Sequence, residues 1–384
     1  MEISRIRILL VEDDPDDVWI TRNLLSDRWD GPYELIHVEL LSAAIELCRE
    51  QEFDVILLDL GLPDSQGLET FFAVSAEATE KPIVVLSGLK DESAAIKAVQ
   101  AGAQDYLVKG QMDDHLLVRS IRYAIERSRR DTAERALRDT SEEFRMAGEI
   151  QQRLYPIEAP RVEGFDIAGT LHPAKATAGD YFDYIPMSGD RLGVVVGDVS
   201  SHGMGPALLM SETRACLRTL SLSFDDVGEI LTRANRVLAA DTGDFHFVTL
   251  AMMRLDLTTR AMTYASAGQR GYLFRADGTV ITLDSTALPL GVREDTVVPA
   301  GPDFQLGRGD LVTFFTDGVV EAESPGRVRF GYPRAIELIR SERHEPAEKI
   351  VEAMHAELKT FCRNMPQRDD VTMVVIKVEG ESKG

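Results

Sequence analysis

From Arg5 to about Arg127, short apolar runs alternate with amphipathic stretches, the pattern of a parallel sheet flanked by helices. The runs Ile6–Val11, Glu34–Glu39, Asp54–Leu58, Pro82–Leu86 and Asp105–Val108 are predicted strands. Their continuous apolar character suits strands covered on both faces, so five βα units predict a doubly wound α/β domain with a five-stranded parallel sheet. Between Leu116 and Leu154 there is no proline and only one glycine, Gly148, while charges of both signs are dense, which predicts one long helix ended by Pro156 and Pro160. Apolar or small residues recur along it at Val118, Ile121, Ile125, Ser128, Thr132, Ala136, Thr140, Phe144, Ala147 and Leu154. The spacing is heptad-like at both ends and advances in four-residue steps in the middle, like a coiled-coil stutter. A helix packed on its own domain is one reading of that stripe; a dimeric coiled coil is preferred.

After Phe165 the pattern changes. Strands are predicted at Phe165–His172, Tyr181–Met187, Leu192–Val199, Phe247–Leu255, Ala261–Ala267, Tyr272–Arg275, Leu311–Phe315 and Val371–Val378. Short turn-like connections such as Met187-Ser188-Gly189-Asp190 and Ala276-Asp277-Gly278 predict hairpins, and hence antiparallel pairing. Helices are expected at Met204–Leu222, Val227–Ala240, Tyr332–Ser341 and Glu345–Cys362. The expected organisation is a first domain over 1–127, a helical linker over 128–155 that continues its last helix, and a second domain over 156–384.

Composition narrows the function classes. At 384 residues, 44% hydrophobic and 28% charged, the chain has enough apolar side chains for a core in each of two or three units. A net charge of −22 repels phosphate backbones and anionic lipid, so neither nucleic acid nor a membrane surface is an expected partner. Cys48, Cys216 and Cys362 are odd in number and lack CxxC spacing, which argues against a disulfide framework or a zinc site. With no apolar run of membrane-spanning length and no signal-peptide layout, the expected location is cytoplasmic.

In an open parallel sheet, reactive groups gather beyond the carboxyl ends of the strands. Glu12 and Asp13 fall just past the first predicted strand, Asp59 past the third, Ser87 at the end of the fourth and Lys109 at the end of the fifth. Converging carboxylates make an oxygen-rich site suited to Mg²⁺, and Lys109 with the Ser87 hydroxyl would stabilise new negative charge on an Asp59 acyl phosphate. The segments LLVEDDP, DVILLDLGLPDSQG, VVLSG and AGAQDYLVKG resemble the receiver domain of two-component response regulators. The resemblance implies that Asp59 is the phosphoacceptor, that Glu12, Asp13 and Asp59 hold Mg²⁺, that Ser87 and Tyr106 form the switch pair, and that Lys109 bridges the phosphate. Gly110 departs from it, since many receivers carry proline after the lysine.

The second half places aspartates at strand ends or beside glycine: Asp180 and Asp183 in AGDYFD, Asp198 in VVVGDVSSHG, Asp317 in FFTDGVVE, and Asp369 with Asp370 in RDDVT. Folding would bring these acids into one pocket, where divalent cations are the usual remedy for like charge. Two metals sharing a carboxylate support in-line phosphoryl displacement by water, and no residue here reads as a covalent nucleophile; Cys216 reads as a core residue. The motifs resemble the PPM superfamily of metal-dependent Ser/Thr protein phosphatases, in particular its bacterial stress-response and sporulation branch, and EIQQRLYP resembles that branch's lead-in helix. The resemblance implies an αββα sandwich binding two Mn²⁺ or Mg²⁺. In it Asp198 bridges both metals, the Val199 carbonyl binds the second, Asp317 and Asp369 complete the first, and Asp180 acts directly or through water. Asp183 and Asp370 are adjacent to matched positions, and Asp370 is counted with the metal residues. Ala178 and Ser201 stand where close relatives often have glycine.

Other polar residues have blander readings. His202 reads as a turn residue rather than a general acid, His172 and His246 as structural histidines, Gln269-Arg270 as either substrate-facing or surface, and the C-terminal GESKG as a frayed tail. The expected protein is a response regulator phosphorylated by a sensor histidine kinase, whose output hydrolyses phosphoserine or phosphothreonine. The resemblance implies a phosphorylated anti-sigma factor antagonist as substrate, and the heptad-like stripe of the linker helix predicts a homodimer formed through it. The competing reading is a non-enzymatic adaptor that grips a sigma factor or its regulator; the retained Asp198, Asp317 and Asp369 speak against it, because an adaptor has no physical need to hold that much like charge together. A nucleotide cyclase lacks its glycine-rich phosphate loop here.

Overall fold

The computed structural model describes residues 5–88, 92–201, 203–242 and 246–379. His202 and the terminal GESKG therefore lie outside the described residues. The chain forms two compact units, Met1–Thr140 and Ser141–Gly384.

The first unit contains β1 (Ile6–Val11), α1 (Pro15–Arg28), β2 (Tyr33–Val38), α2 (Leu41–Glu50), β3 (Val55–Asp59), a two-residue hairpin β4 (Gly61–Leu62) and β5 (Ser65–Gln66), α3 (Leu68–Glu77), β6 (Ile83–Ser87), α4 (Glu92–Gln100), β7 (Asp105–Val108) and the start of α5 (Asp114–Gln152). The main sheet is parallel in the order β2-β1-β3-β6-β7. Its central strands are apolar on both faces because helices cover both: Leu9, Val11, Ile56 and Leu58 face one cluster, and Ile8, Leu10, Val55 and Leu57 the other. The chain leaves β1 toward β2 on one side and β3 on the other, so the carboxyl ends of β1 and β3 form the crevice where such sheets bind ligands.

The helix α5 starts with Leu117, Val118, Ile121, Ala124 and Ile125 buried in the receiver-like core, each large aliphatic contributing about 1.5–3 kcal/mol. The N-terminal end of the heptad-like stripe is thus covered by its own domain. From Thr132 to Glu143 every residue is exposed within the single chain.

The second unit contains β8 (Phe165–His172), β9 (Tyr181–Met187), β10 (Arg191–Val199), α6 (Met204–Leu220), α7 (Val227–Asp241), β11 (Val248–Asp256), β12 (Ala261–Ala267), β13 (Gly271–Phe274), β14 (Val280–Leu283), β15 (Phe304–Gln305), β16 (Leu311–Phe315), α8 (Asp317–Glu321), α9 (Gly331–Glu342), α10 (Ala347–Phe361) and β17 (Val371–Val378). Two antiparallel sheets result, β15-β12-β11-β10-β9 and β14-β13-β16-β17-β8. Period-two alternation explains the layers. Val194, Val196, Val312, Phe314, Val374 and Ile376 meet between the sheets. Their neighbours turn outward, Val195 under α6 and α7, Phe315, Met373 and Val375 under α9 and α10. The unit is an αββα sandwich.

Candidate functional site

The crevice at the carboxyl ends of β1 and β3 assembles around one lysine. Lys109 Nζ lies 2.8 Å from Asp59 Oδ2, 2.9 Å from Glu12 Oε1 and 2.9 Å from Asp17 Oδ2. Glu12, Asp13 and Asp59 each bring a carboxylate oxygen within 4.8 Å of the others. Burial pushes the Glu12 carboxyl up to about 7 against the pull of Lys109, with the Asp59 charge adding to the rise. Burial alone would lower Lys109, but its bonds to Asp59, Glu12 and Asp17 outweigh it and hold the ammonium above its ordinary value. Two buried atoms are left over: Ser87 Oγ has no hydrogen-bond partner, and Glu12 Oε2 has none either, although it lies 2.7 Å from Nζ in ion-pair contact. An acidic triad, an unused carboxylate oxygen and an unused hydroxyl beside Asp59 fit a hard cation and an acyl phosphate. Tyr106 is half-buried and packs against the cluster that includes Ala95 and Ala98 of α4. Asp17 had not been singled out in the sequence; it sits in the first turn of α1, where an acid also complements the helix dipole.

In the second unit, strand register gathers the acids. Gly197 of β10 pairs with Tyr181 of β9, which sets Asp198 beside Asp180. The end of β16 pairs with the start of β17, Phe315 with Met373, which sets Asp317 beside Asp369. Asp180 is buried, and its Oδ2 accepts from Thr316 Oγ1 at 2.8 Å and Thr372 Oγ1 at 2.6 Å. Gly318 is required by close approach: a Cβ there would sit 1.8 Å from the Asp370 carbonyl oxygen.

Burial and mutual proximity raise these carboxyls. Burial, then the Asp317 and Asp369 charges, push the Asp198 carboxyl up to about 7. Burial and the Asp198 charge drive Asp180 well above the ordinary range despite the two threonine hydroxyls. Asp317 is raised by burial, Asp369 and Glu321. Among the described residues, no three of these carboxylates close to within 4.8 Å as the receiver triad does. Buried, oxygen-only and mutually repelling, the donor set fits divalent cations that bind partly through water.

The remaining acids have other partners. Asp370 accepts from the backbone N–H of Ala174 at 2.8 Å and of Gly179 at 2.7 Å, bracing the loop before Asp180. Asp183 is buried beneath α6, where Arg218 Nε and Nη2 donate to it at 2.6 and 2.7 Å and Tyr181 Oη at 2.7 Å. The loop before Asp180 is also held by the end of α5 and the segment after it: Gln151 pairs with Ala178 N at 2.9 Å and Ala178 O at 2.8 Å, and Tyr155 Oη donates to Asp180 O at 3.0 Å. Sequence reasoning did not single out Thr316, Thr372, Gln151 or Tyr155; the available signal was the threonine directly before Asp317 and the EIQQRLYP segment. A cleft of about 280 Å³ opens beside Asp369, bordered by Arg329, Leu358, Lys359, Met365 and Arg368.

Known proteins agree with both halves. The response regulator receiver domain family matches residues 8–122, and the Stage II sporulation protein E (SpoIIE) family matches residues 188–379. The phosphoserine phosphatase RsbU of Bacillus subtilis is 27% identical over 240 residues, covering 61% of this chain and 70% of RsbU. The solved RsbU and RsbW domains of Rv1364c from Mycobacterium tuberculosis are 30% identical with a TM-score of 0.50, covering 60% of this chain and 64% of that one. The SiaA-PP2C domain of Pseudomonas aeruginosa shares the fold at 21% identity, TM-score 0.56, covering 63% of this chain and 98% of that domain. With strand order, acidic edge and family model in agreement, the chain belongs to the SpoIIE family, its PP2C-type Ser/Thr phosphatase domain preceded by a response regulator receiver domain.

Proposed function

We infer that this protein is a response regulator whose phosphorylation at Asp59 controls hydrolysis of phosphoserine or phosphothreonine on a partner protein. The observation that carries the reading is the gathering of Asp180, Asp198, Asp317 and Asp369 at one end of the sandwich, with Asp180, Asp198 and Asp317 each raised first by burial and then by neighbouring carboxylates. Asp198, the Val199 carbonyl, Asp317 and Asp369 would hold two cations, with Asp180 contributing directly or through water. Bound there, Mn²⁺ or Mg²⁺ supplies Lewis acidity for activating water and for offsetting phosphoryl charge. The chain's own contribution is orientation: Thr316 and Thr372 fix Asp180, and Asp370 fixes the loop that carries it. The cleft beside Asp369 gives the polypeptide around the phosphoresidue a place to lie.

In the receiver, Glu12, Asp13 and Asp59 would hold Mg²⁺, Lys109 would neutralise an acyl phosphate on Asp59, and Ser87 with Tyr106 would report its presence. The phosphoryl donor is a sensor histidine kinase. The substrate is a phosphorylated anti-sigma factor antagonist, a reading supported by the likeness to RsbU. A homodimer through the 128–155 linker is supported by the fully exposed stretch from Thr132 to Glu143, which a second helix would cover.

The test is turnover of a phosphoserine peptide by the full chain with Mn²⁺, wild type against Asp198→Ala. Mn²⁺-dependent release of phosphate, lost on the order of a hundredfold or more in a variant that keeps its circular dichroism, is expected. Equal turnover by the two proteins would remove the two-metal mechanism. Absence of turnover in a wild type that binds Mn²⁺ would favour the adaptor.

A further inference from the structure

The acids that would hold the cations come from two different sheets, Asp198 from β10 in one and Asp317 from just past the end of β16 in the other. The contact between those sheets is apolar, and apolar packing is non-directional. Holding two ligands to within about half an ångström calls for something directional as well.

Gln269 supplies it. It lies in the turn that leaves β12 in the first sheet and enters β13 in the second, and it is only 8% exposed. Its Nε2 donates to the Phe315 carbonyl oxygen, and its Oε1 accepts from Thr249 Oγ1 at 3.3 Å. The partners fix the amide's orientation, since a carbonyl accepts only from the nitrogen end. Thr249 stands directly across from Asp198 in the β10–β11 ladder, and its Oγ1 is also 3.5 Å from Asp198 O. Phe315 is two residues before Asp317, and the intervening Thr316 holds Asp180. Ser266 Oγ donates to the Gln269 carbonyl oxygen and so pins the turn. Arg270 beside it is half exposed and pairs with Asp284, so the two residues of this dipeptide do different work.

We propose that Gln269 is a positioning residue that ties the Asp198 strand to the Asp317 strand and thereby sets the affinity of the phosphatase site for its cations. The inference rests on the two-metal reading above. One small amide spans the two sheets at the end where the ligands converge, with a neutral hydrogen bond on each side and no need to touch substrate. Loss of such an outer partner weakens metal binding by roughly 10–100-fold in comparable sites.

The experiment measures free Mn²⁺ by electron paramagnetic resonance during titration of the full chain. All forms carry Asp13→Asn, so that the receiver triad does not contribute. In Gln269→Leu, the Mn²⁺ dissociation constant is expected to rise about tenfold or more, with kcat on an aryl phosphate recovered at saturating Mn²⁺. Gln269→Glu keeps the acceptor for Thr249 but faces an oxygen toward the Phe315 carbonyl, and is expected to weaken binding at least as much. A folded Gln269→Leu with wild-type Mn²⁺ affinity would overturn the proposal. So would unchanged affinity with a lowered kcat, which would place Gln269 at the substrate. If Gln269→Leu does not fold, the isosteric Thr249→Val decides: weaker Mn²⁺ binding supports the strut, and unchanged binding overturns it. A wild-type protein that binds no Mn²⁺ would overturn the two-metal reading itself, a result distinct from all of these.

Discussion

Replacing Arg218 with methionine removes the guanidinium from Asp183 while keeping an unbranched apolar stem on α6. Asp183 is fully buried and accepts four hydrogen bonds: from Tyr181 Oη at 2.7 Å, Tyr184 N at 2.8 Å, and Arg218 Nε and Nη2 at 2.6 and 2.7 Å. Taking one partner from a buried ion pair costs about 3–5 kcal/mol, because the carboxylate left behind is uncompensated. Two features reduce that figure here. The Arg218 side chain is 40% exposed, so water reaches the pair, and Arg214 Nε lies 3.9 Å away as a second positive charge. The expected loss is therefore about 2–3 kcal/mol, which in a unit of this size lowers the melting temperature by roughly 4–12 °C. Calorimetry of the full chain resolves the effect, with the phosphatase transition identified as the one that rises when Asp198-dependent Mn²⁺ binding is saturated. A drop below about 1–2 °C, corresponding to about 0.5 kcal/mol, would refute the claim that Asp183 depends on Arg218 and anchors α6.

Ser201 has φ of 76°, in the left-handed region, where a residue with a side chain is disfavoured by roughly 1–2 kcal/mol. Ser201→Gly relieves that strain and loosens the unfolded chain, for an expected net gain of about 0.5–1 kcal/mol in urea denaturation; no gain would mean the loop relaxes around serine. His172 is held down to about 4 by burial, then by His355 and Lys359, while His355 is itself lowered by burial and Lys359. Below its unfolded value near 6.5 the unfolded chain takes up a proton that the folded one refuses, so stability is complete above that pH and falls as pH drops toward 4. His172→Gln is expected to flatten the fall in melting temperature across that window, and an identical slope in the variant would sink the reading.

Much of this architecture was legible because the strands in both units are apolar and bounded by turn residues. Ile6–Val11, Asp105–Val108, Phe165–His172, Tyr181–Met187 and Val371–Val378 coincide with observed strands. The short edge strands Val280–Leu283 and Phe304–Gln305 escaped notice, since an edge strand is half-solvated and two residues carry no periodicity. The helix over 114–152 was visible from its lack of prolines. What covers its stripe was not: Val118, Ile121 and Ile125 repeat like a seam, yet their neighbours are the strands of their own sheet, and periodicity does not say which surface covers a stripe. The acids that the fold gathers at each crevice were readable from strand ends. Thr316 and Thr372 were not assigned to the site, because an isolated threonine acquires meaning only when folding sets it 2.6–2.8 Å from a residue more than a hundred positions away, and Gln269 was left open between a substrate-facing and a surface residue. Asp183 and Asp370 show the converse: the GDYFD and RDDVT motifs contain two aspartates each, and only the structure tells which one faces the pocket and which one braces α6 or a loop.

The most direct test of receiver-controlled phosphatase chemistry is turnover of the full chain on a phosphoserine peptide with Mn²⁺, with and without beryllofluoride as the acyl-phosphate mimic, in wild type and Asp59→Asn. A change in kcat on adding beryllofluoride to the wild type, absent in Asp59→Asn, is the expected result. Identical turnover in all four conditions would contradict the coupling and leave two independent domains on one chain.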